Sequence, residues 1–401
     1  VNVFVLNAGS SSVKAAYFTD RGGGAVAVDP DWSAQVSWTT LPARAELRWT
    51  SADGPGSTDV DVDEHGGAAA PVLEAAIRSF GIAPDIVGHR VVHGLTETRC
   101  AMVDARVRSL IETAAELAPL HNRAALAGID AATAAFPAVP QAADFDTAFH
   151  TTLPDPAAAY ALPYDWFAQR GIRRYGFHGI SHRYCAGRTA DVLERDVAGL
   201  RIVSAHLGNG ASLAAIVGGK SVDTTMGFTP LDGIVMGSRS GSVDPGLLLH
   251  LLETQAYTAA QLDTILNAQS GLKGLSQVSE DIREVIAAAQ SGAAPAQLAL
   301  DVYIHRLSTG IAAMAAAAGG IDALAFTGGV GEHAAYVRER TCAKLAFLGV
   351  LLGPDNAAGD REISAPQSAV RVTVVRAREE YAIARDVAAL LVRQSEATAR
   401  A

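Results

Sequence analysis

Arg90 closes the run Asp85-Ile86-Val87-Gly88-His89-Arg90, and Arg239 sits in a long glycine-rich passage after Val217. A guanidinium fork matches carboxylate and phosphate oxygens, so an arginine in such surroundings forms a structural ion pair or holds an anion. Two of them beside glycine turns favour an anionic substrate. Asp146 and Glu379 are candidate magnesium carboxylates, because that ion, bound with phosphates, takes one or two protein oxygens and keeps several waters. Read alone, Glu379 is better explained as an acid in a helix's first turn. His178 and His182 are four apart in Tyr175-Gly176-Phe177-His178-Gly179-Ile180-Ser181-His182, a spacing that could hold zinc on a helix. The glycines argue against a regular helix there and no third ligand is evident, so hydrogen-bond donation to a phosphoryl oxygen is favoured over zinc. His121 has the same two readings, and the proline-led turn Leu120-His121-Asn122 favours a site. His89 and His93 are expected to satisfy local hydrogen bonds.

A glycine turn supplies the phosphate-binding element. Ile202 to Ala205 is an apolar run, His206-Leu207-Gly208-Asn209-Gly210 a polar turn, and Ser212 to Val217 a second apolar run. Strand, tight Gly/Asn turn and strand make a hairpin, and such a turn can aim backbone N–H groups at an anion. Phe4 to Tyr17 repeats the pattern, Ser12 falling on Ser212 and Ala15 on Ala215 at an offset of 200. Two such hairpins, each heading half of the chain, point to a duplicated domain with the ligand between the halves. No Walker loop, no GxGxxG after a strand and no HExxH occurs. What remains is a set of strand-end polar groups: Asn7, Ser10, Ser12, Arg90, His121, Asp146, His178, His206, Asn209, Arg239, Asp281, Arg283, the turn Thr327 to Glu332, and Glu379.

The elements that must position these groups alternate between strand and helix. Helices are expected over 68–80, 107–117, 123–136, 246–266, 279–290, 296–318 and 379–393, and buried strands over 85–88, 141–145, 322–326 and 370–375. Residues 51–67 read as a loop or irregular edge hairpin. Pro154 and Pro156 mark a domain boundary near residue 150. Mixed strands and helices throughout predict an α/β protein with sheets covered by helices.

Composition bounds the partners. The chain has 401 residues, 49% hydrophobic and 18% charged, with net charge −10. It can bury large cores in about two domains, and it lacks the basic surface that nucleic acid demands. Cys100, Cys185 and Cys342 are far apart and form no CxxC pair, which fits a reducing compartment. No signal-peptide pattern opens the chain, and the uncharged Ala/Gly-rich stretch Leu307 to Ile321 is too short to span a bilayer. A cytoplasmic protein with no membrane or nucleic-acid partner is expected.

Taken together, LNAGSSSVK, GHRVVHG, PLHN, DFDTAFH, RRYGFHGISH, AHLGNGASL, TMGFTPLDGIVMGSRSGSVDPG, EDIR, FTGGVGE and EEYAIARD resemble the acetokinase family, within the actin-like, sugar-kinase and Hsp70 ATPase superfamily. The pieces are collinear and span nearly the whole chain, weakest over 22–67. The resemblance implies two duplicated actin-like (ribonuclease H-like) domains with an interdomain nucleotide cleft: residues 1–147, residues 148–378 with the nucleotide site, and a final helix, 379–401, packing back on the first. It implies reversible transfer between ATP and acetate giving ADP and acetyl phosphate, with Mg²⁺ or Mn²⁺, in a homodimer. Asn7 and Glu379 would lie by the metal. Asp146 would lie at the reacting centre, Arg90 and Arg239 would flank the phosphoryl group, and His178 would donate to it with His121 nearby. ATP or ADP would meet Ser10, Ser12, Lys14, His206, Leu207, Gly208, Asn209, Gly210, Asp281, Ile282, Arg283, Gly329, Val330, Gly331 and His333. Arg90, Val92, Leu120, Phe177 and Pro230 would line the small-acid pocket. Five positions depart from the family pattern: His333 replaces an asparagine, Leu95 a glycine, Arg123 a proline, and Ala377-Arg378 a Thr-Asn pair.

Overall fold

The computed structural model describes residues 1–9, 12–20, 26–38, 43–62 and 67–400. It divides into two compact units, Val1–Thr151 with Arg378–Ala401, and Thr152–Ala377. The first holds strands β1 (Val3–Ala8), β2 (Ser12–Phe18), β3 (Trp32–Ser37), β4 (Ala43–Ser51), β5 (Gly54–Val62), β6 (Ile86–Val91), β7 (Ala101–Met102) and β8 (Gln141–Phe145), in the order β5-β4-β3-β2-β1-β6-β8-β7. The second holds β9 (Arg201–Leu207), β10 (Ala211–Val217), β11 (Lys220–Thr224), β12 (Ala323–Thr327), β13 (Arg361–Glu362) and β14 (Arg371–Val374), in the order β11-β10-β9-β12-β14-β13.

The duplication is visible as topology. In each sheet three consecutive strands pair antiparallel, β1-β2-β3 and β9-β10-β11. Two more then add parallel on the far side of the first strand, β6 and β8 in one sheet, β12 and β14 in the other. The central parallel strands are apolar and buried on both faces, as helix-covered parallel strands must be. A uniform offset of 200 fails, however. Val13 pairs with Ala8, whereas Leu213 pairs with Ala205, only 197 beyond Ala8. The two hairpins differ by three residues in their turns, so the offset fits the second strands alone.

Close helix packing aligns the first sheet with its site. A Cβ on Gly88 would lie 3.0 Å from Val387 and 3.1 Å from Ile383, so the C-terminal helix Glu379–Arg400 rests directly on β6. On the other face a Cβ on Gly128 would lie 3.1 Å from Leu6, which seats helix Pro119–Ala135 against β1. Period-two alternation then puts Arg90 on the Gly88 face, toward the C-terminal helix.

Several local expectations are corrected. Pro119 leads a helix instead of a turn: it stands at the N-terminal positions of Pro119–Ala135, where its missing N–H costs nothing. His121 and Asn122 thus lie in that helix's first turn. The glycines around His178 do not prevent a helix; Gly179–Val192 is helical, with His178 in the left-handed region (φ 56°) just before it. Gly328–His333 is a short helix, not an open turn. Residues 43–62 form a regular hairpin of two nine-residue strands, with Leu47, Val60 and Val62 inward. The expected helix over 246–266 is two, Pro245–Glu253 and Ala259–Ala268. Among the described residues no helix is long and apolar enough to cross a membrane.

Candidate active site

In the first unit, adjacent parallel strands carry the polar groups to their carboxyl ends, where such sheets bind ligands. Leu6 is level with His89 and Val91 with Phe145, so Asn7, Arg90 and Asp146 meet. Arg90 is 18% exposed and its Nη2 donates to Asp146 Oδ2 at 2.6 Å; the Asp146 side chain is 2% exposed. Arg90 Nη1 donates to Asn7 Oδ1 at 3.4 Å and lies 3.7 Å from Glu379 Oε2. Asn7 Nδ2 donates to Glu380 Oε1 at 3.2 Å. Burial opposes the charge on Arg90, but Asp146, then Glu379, the Asp146 hydrogen bond and Glu380 outweigh it and raise its pKa. Glu379 and Glu380 open the C-terminal helix, where the dipole favours acids. Two carboxylates and an amide oxygen at one spot are the hard oxygen donors that Mg²⁺ or Mn²⁺ takes beside phosphates, so the residues fit such an ion. Among the described residues no three His, Cys, Asp or Glu form a metal-binding group.

In the second unit, the turn between β9 and β10 is the centre. A Cβ built on Gly210 would stand 3.3 Å from His178 Nε2 and 3.5 Å from Arg239 Nη1, so both groups converge on the bare glycine turn. The His178 ring stacks on His206 with centroids 4.4 Å apart. His206 Nδ1 bonds Ser181 Oγ at 2.8 Å. Arg239 Nη1 donates to the Pro230 carbonyl at 3.1 Å. Its loop is pinned to the turn by Gly237 N–H donating to Asn209 O at 3.0 Å. Gly241 (φ 70°) tolerates no side chain, since a Cβ would meet the Gly233 and Ile234 carbonyls at 2.6 Å.

The other nucleotide candidates form two groups. Gly328 packs on the turn, its missing Cβ only 2.7 Å from Leu207 O, so helix Gly328–His333 with Gly329, Val330 and Gly331 adjoins Leu207 and Gly208. Space is open above Gly329. His333 ends this helix with its side chain 71% exposed. Asp281 precedes helix Ile282–Gln290, accepts from Arg283 N–H at 2.9 Å and is held below the usual carboxylate range by the Arg283 side chain; Ile282 is buried. In the first unit Ser12 faces Ser37, and Lys14, exposed, stands opposite Asn7. Ser10 lies outside the described residues. Of the pocket candidates, Val92 and Phe177 are buried and Leu120 is 51% exposed.

His89 and His93 serve the fold. Burial holds both His89 and His93 down to about 4. His89 Nε2 bonds Gln141 at 2.7 Å, and Asn122 both accepts from His93 N–H (3.0 Å) and donates to its carbonyl (2.9 Å). His182, weighed above for zinc, is buried between two serines: Nδ1 lies 2.9 Å from Ser204 Oγ and Nε2 2.8 Å from Ser212 Oγ. Cys185 and Cys342 are pushed up to about 12 by burial, which leaves them inert as nucleophiles.

Glu380 shares the cluster with Glu379. Two contributions escape sequence reasoning. Ser212 links His178 to His182. Arg338, 1% exposed, donates to the Gly331 and Glu332 carbonyls at 2.8 and 2.7 Å and so holds the C-terminal end of helix Gly328–His333. Only Arg338 carried a signal, a charge in a helix with no amphipathic excuse to be buried.

The acetokinase family model matches residues 2–385. An acetate kinase of Gloeobacter violaceus is 49% identical over 400 residues, covering 96% of this chain and 98% of that protein. Among solved structures, the acetate kinase of Porphyromonas gingivalis superposes with TM-score 0.86 at 40% identity over 97% of this chain and 99% of that one. A propionate kinase of Francisella tularensis gives 0.88 at 34% identity over 96% and 98%. With a match of this length and both clusters of polar residues in place, the chain belongs to the acetokinase family.

Proposed function

We propose that this protein transfers the γ-phosphoryl group of ATP to acetate, reversibly, giving acetyl phosphate and ADP. The convergence of His178 Nε2 and Arg239 Nη1 over the bare Gly210 turn carries the proposal, because it presents two donors to an anion held by backbone N–H groups. The acetate carboxylate is already an anionic nucleophile at neutral pH. Its oxygen bonds to the γ-phosphorus as the bond from that phosphorus to the β-bridging oxygen breaks, and ADP leaves with the electron pair. No proton need move and no phosphoenzyme is required. Arg90, Arg239 and His178 counter the charge on the equatorial oxygens, and Asp146 orients Arg90. His121 acts nearby. Asn7 and Glu379, with Glu380 beside them, would hold Mg²⁺ or Mn²⁺, which neutralises phosphate charge when bound. Ser10, Ser12, Lys14, the 206–210 turn, Asp281 to Arg283 and Gly329 to Gly331 with His333 serve the nucleotide. Arg90, Val92, Leu120, Phe177 and Pro230 bound the methyl group.

A cytoplasmic homodimer is part of the same proposal. Leu247, Leu249 and Leu252 of helix Pro245–Glu253 are exposed, as are Val243 and Tyr257, and a second copy would cover such apolar side chains. Propionate is the second reading, favoured by the similarity to a propionate kinase. Trapping the acyl phosphate formed from ATP with acetate or propionate separates them: acetate should give the higher kcat/KM, and no acyl phosphate from either acid would end the proposal.

A further inference from the structure

We propose that Ser212 and His182 act as positioning residues that fix which nitrogen of His178 carries its proton. The inference rests on His178 donating to the phosphoryl group. Ser212 Oγ, fully buried in β10, lies 2.9 Å from His178 Nδ1 and 2.8 Å from His182 Nε2. His182 Nδ1 lies 2.9 Å from Ser204 Oγ, also fully buried. Four side chains thus form one chain, Ser204–His182–Ser212–His178, ending at the nitrogen that faces Gly210 and Arg239.

A serine hydroxyl has one proton to give, so Ser212 donates to one imidazole and accepts from the other. His178 is neutral in this position for two physical reasons. It sits at the N-terminus of the 14-residue helix Gly179–Val192, whose exposed N–H groups oppose a cation. Its Nε2 also points to the same spot as the Arg239 guanidinium. A neutral ring that donates from Nε2 must accept at Nδ1. Ser212 therefore donates to His178 Nδ1, its oxygen accepts from His182 Nε2–H, and His182 Nδ1 accepts from the Ser204 hydroxyl. Each proton position follows from the last. The reverse direction would put the His178 proton on Nδ1 and leave a lone pair toward the phosphoryl oxygens, which repels them.

The test reads proton positions directly. Full-length protein labelled with ¹⁵N in histidine, without substrate, is examined by two-bond ¹H–¹⁵N correlation at neutral pH. His178 and His182 are expected as neutral rings protonated on Nε2. In Ser212→Ala the His178 Nδ1 resonance should move to that of a nitrogen accepting no hydrogen bond. The same variant should lose about tenfold in kcat with the ATP and acetate KM values within about twofold. His182→Gln, which keeps an N–H toward Ser212, should retain more turnover than His182→Leu. A His178 proton on Nδ1 in the wild type, or a Ser212→Ala variant with unchanged spectrum and turnover, overturns the proposal. Absence of acyl phosphate formation would count against the reaction and leave the spectrum to decide the tautomers.

Discussion

Arg90 and Arg239 are the same side chain in opposite settings. Arg90 leaves a buried strand, lies on the face fixed by Gly88, and is clamped by Asp146 with Glu379 and Glu380 behind it. Arg239 sits in a glycine-rich loop, donates to the Pro230 carbonyl, and shares its surroundings with stacked histidines. The first cluster is acid-rich and built by strand register; the second is hydrogen-bond-rich and built by a turn, a loop and a helix N-terminus. One is suited to a cation and the phosphoryl group together, the other to anions alone. The arginines should therefore fail differently when removed.

Arg90→Ala shows the largest expected effect. It should lower kcat by about 10²-fold or more and also destabilise the fold, by up to about 3 kcal/mol, because the buried Asp146 loses its ion pair with Arg90. Kinetics and denaturant unfolding of the same preparation measure both, and an unchanged unfolding midpoint would contradict the clamp. Val92→Ala opens the pocket by two methyl carbons and should shift the acetate-to-propionate ratio of kcat/KM by on the order of 10- to 200-fold, with the ATP KM little changed. An unmoved ratio removes Val92 as the gate.

Glu379→Gln and Glu380→Gln sharpen the acidic side. Loss of Glu379 should raise the Mg²⁺ concentration for half-maximal rate about tenfold or more, and the Glu380 change should act less. If only Glu380→Gln moves it, the metal role passes to Glu380. The smallest effect concerns Leu95, which holds φ 50° without being glycine. A left-handed residue costs roughly 1–2 kcal/mol, part of which glycine returns as unfolded-chain entropy. Leu95→Gly should stabilise by up to about 1 kcal/mol, and a lowered melting temperature would show that the Leu95 side chain matters more than its backbone.

These residues also show what sequence reveals. The strand-borne groups, Asn7, Arg90 and Asp146, were legible because apolar runs of strand length put them at strand ends, and parallel pairing did the rest. The 206–210 turn was legible because Gly and Asn between two such runs mean a hairpin. Local rules failed where tertiary packing overrode them. Pro119 reads as leading a turn, although a proline equally starts a helix. Gly176 and Gly179 were read as helix-breaking, although one lies before the helix and the other begins it. Ser204 and Ser212 carried no signal at all: a serine in a buried strand looks generic until two histidines from another element arrive beside it. Leu95 was noticed only as a departure, and its positive φ supplies the reason glycine is usual there.

Arg239→Ala tests the central claim most directly, by acyl phosphate formation from ATP and acetate beside thermal unfolding of the same variant. Turnover should fall by about 10²-fold or more in a variant whose cooperative thermal unfolding shows that it is folded. Near wild-type turnover in a folded Arg239→Ala protein would contradict the assignment of the Gly210 turn, His178 and Arg239 as the phosphoryl-binding centre.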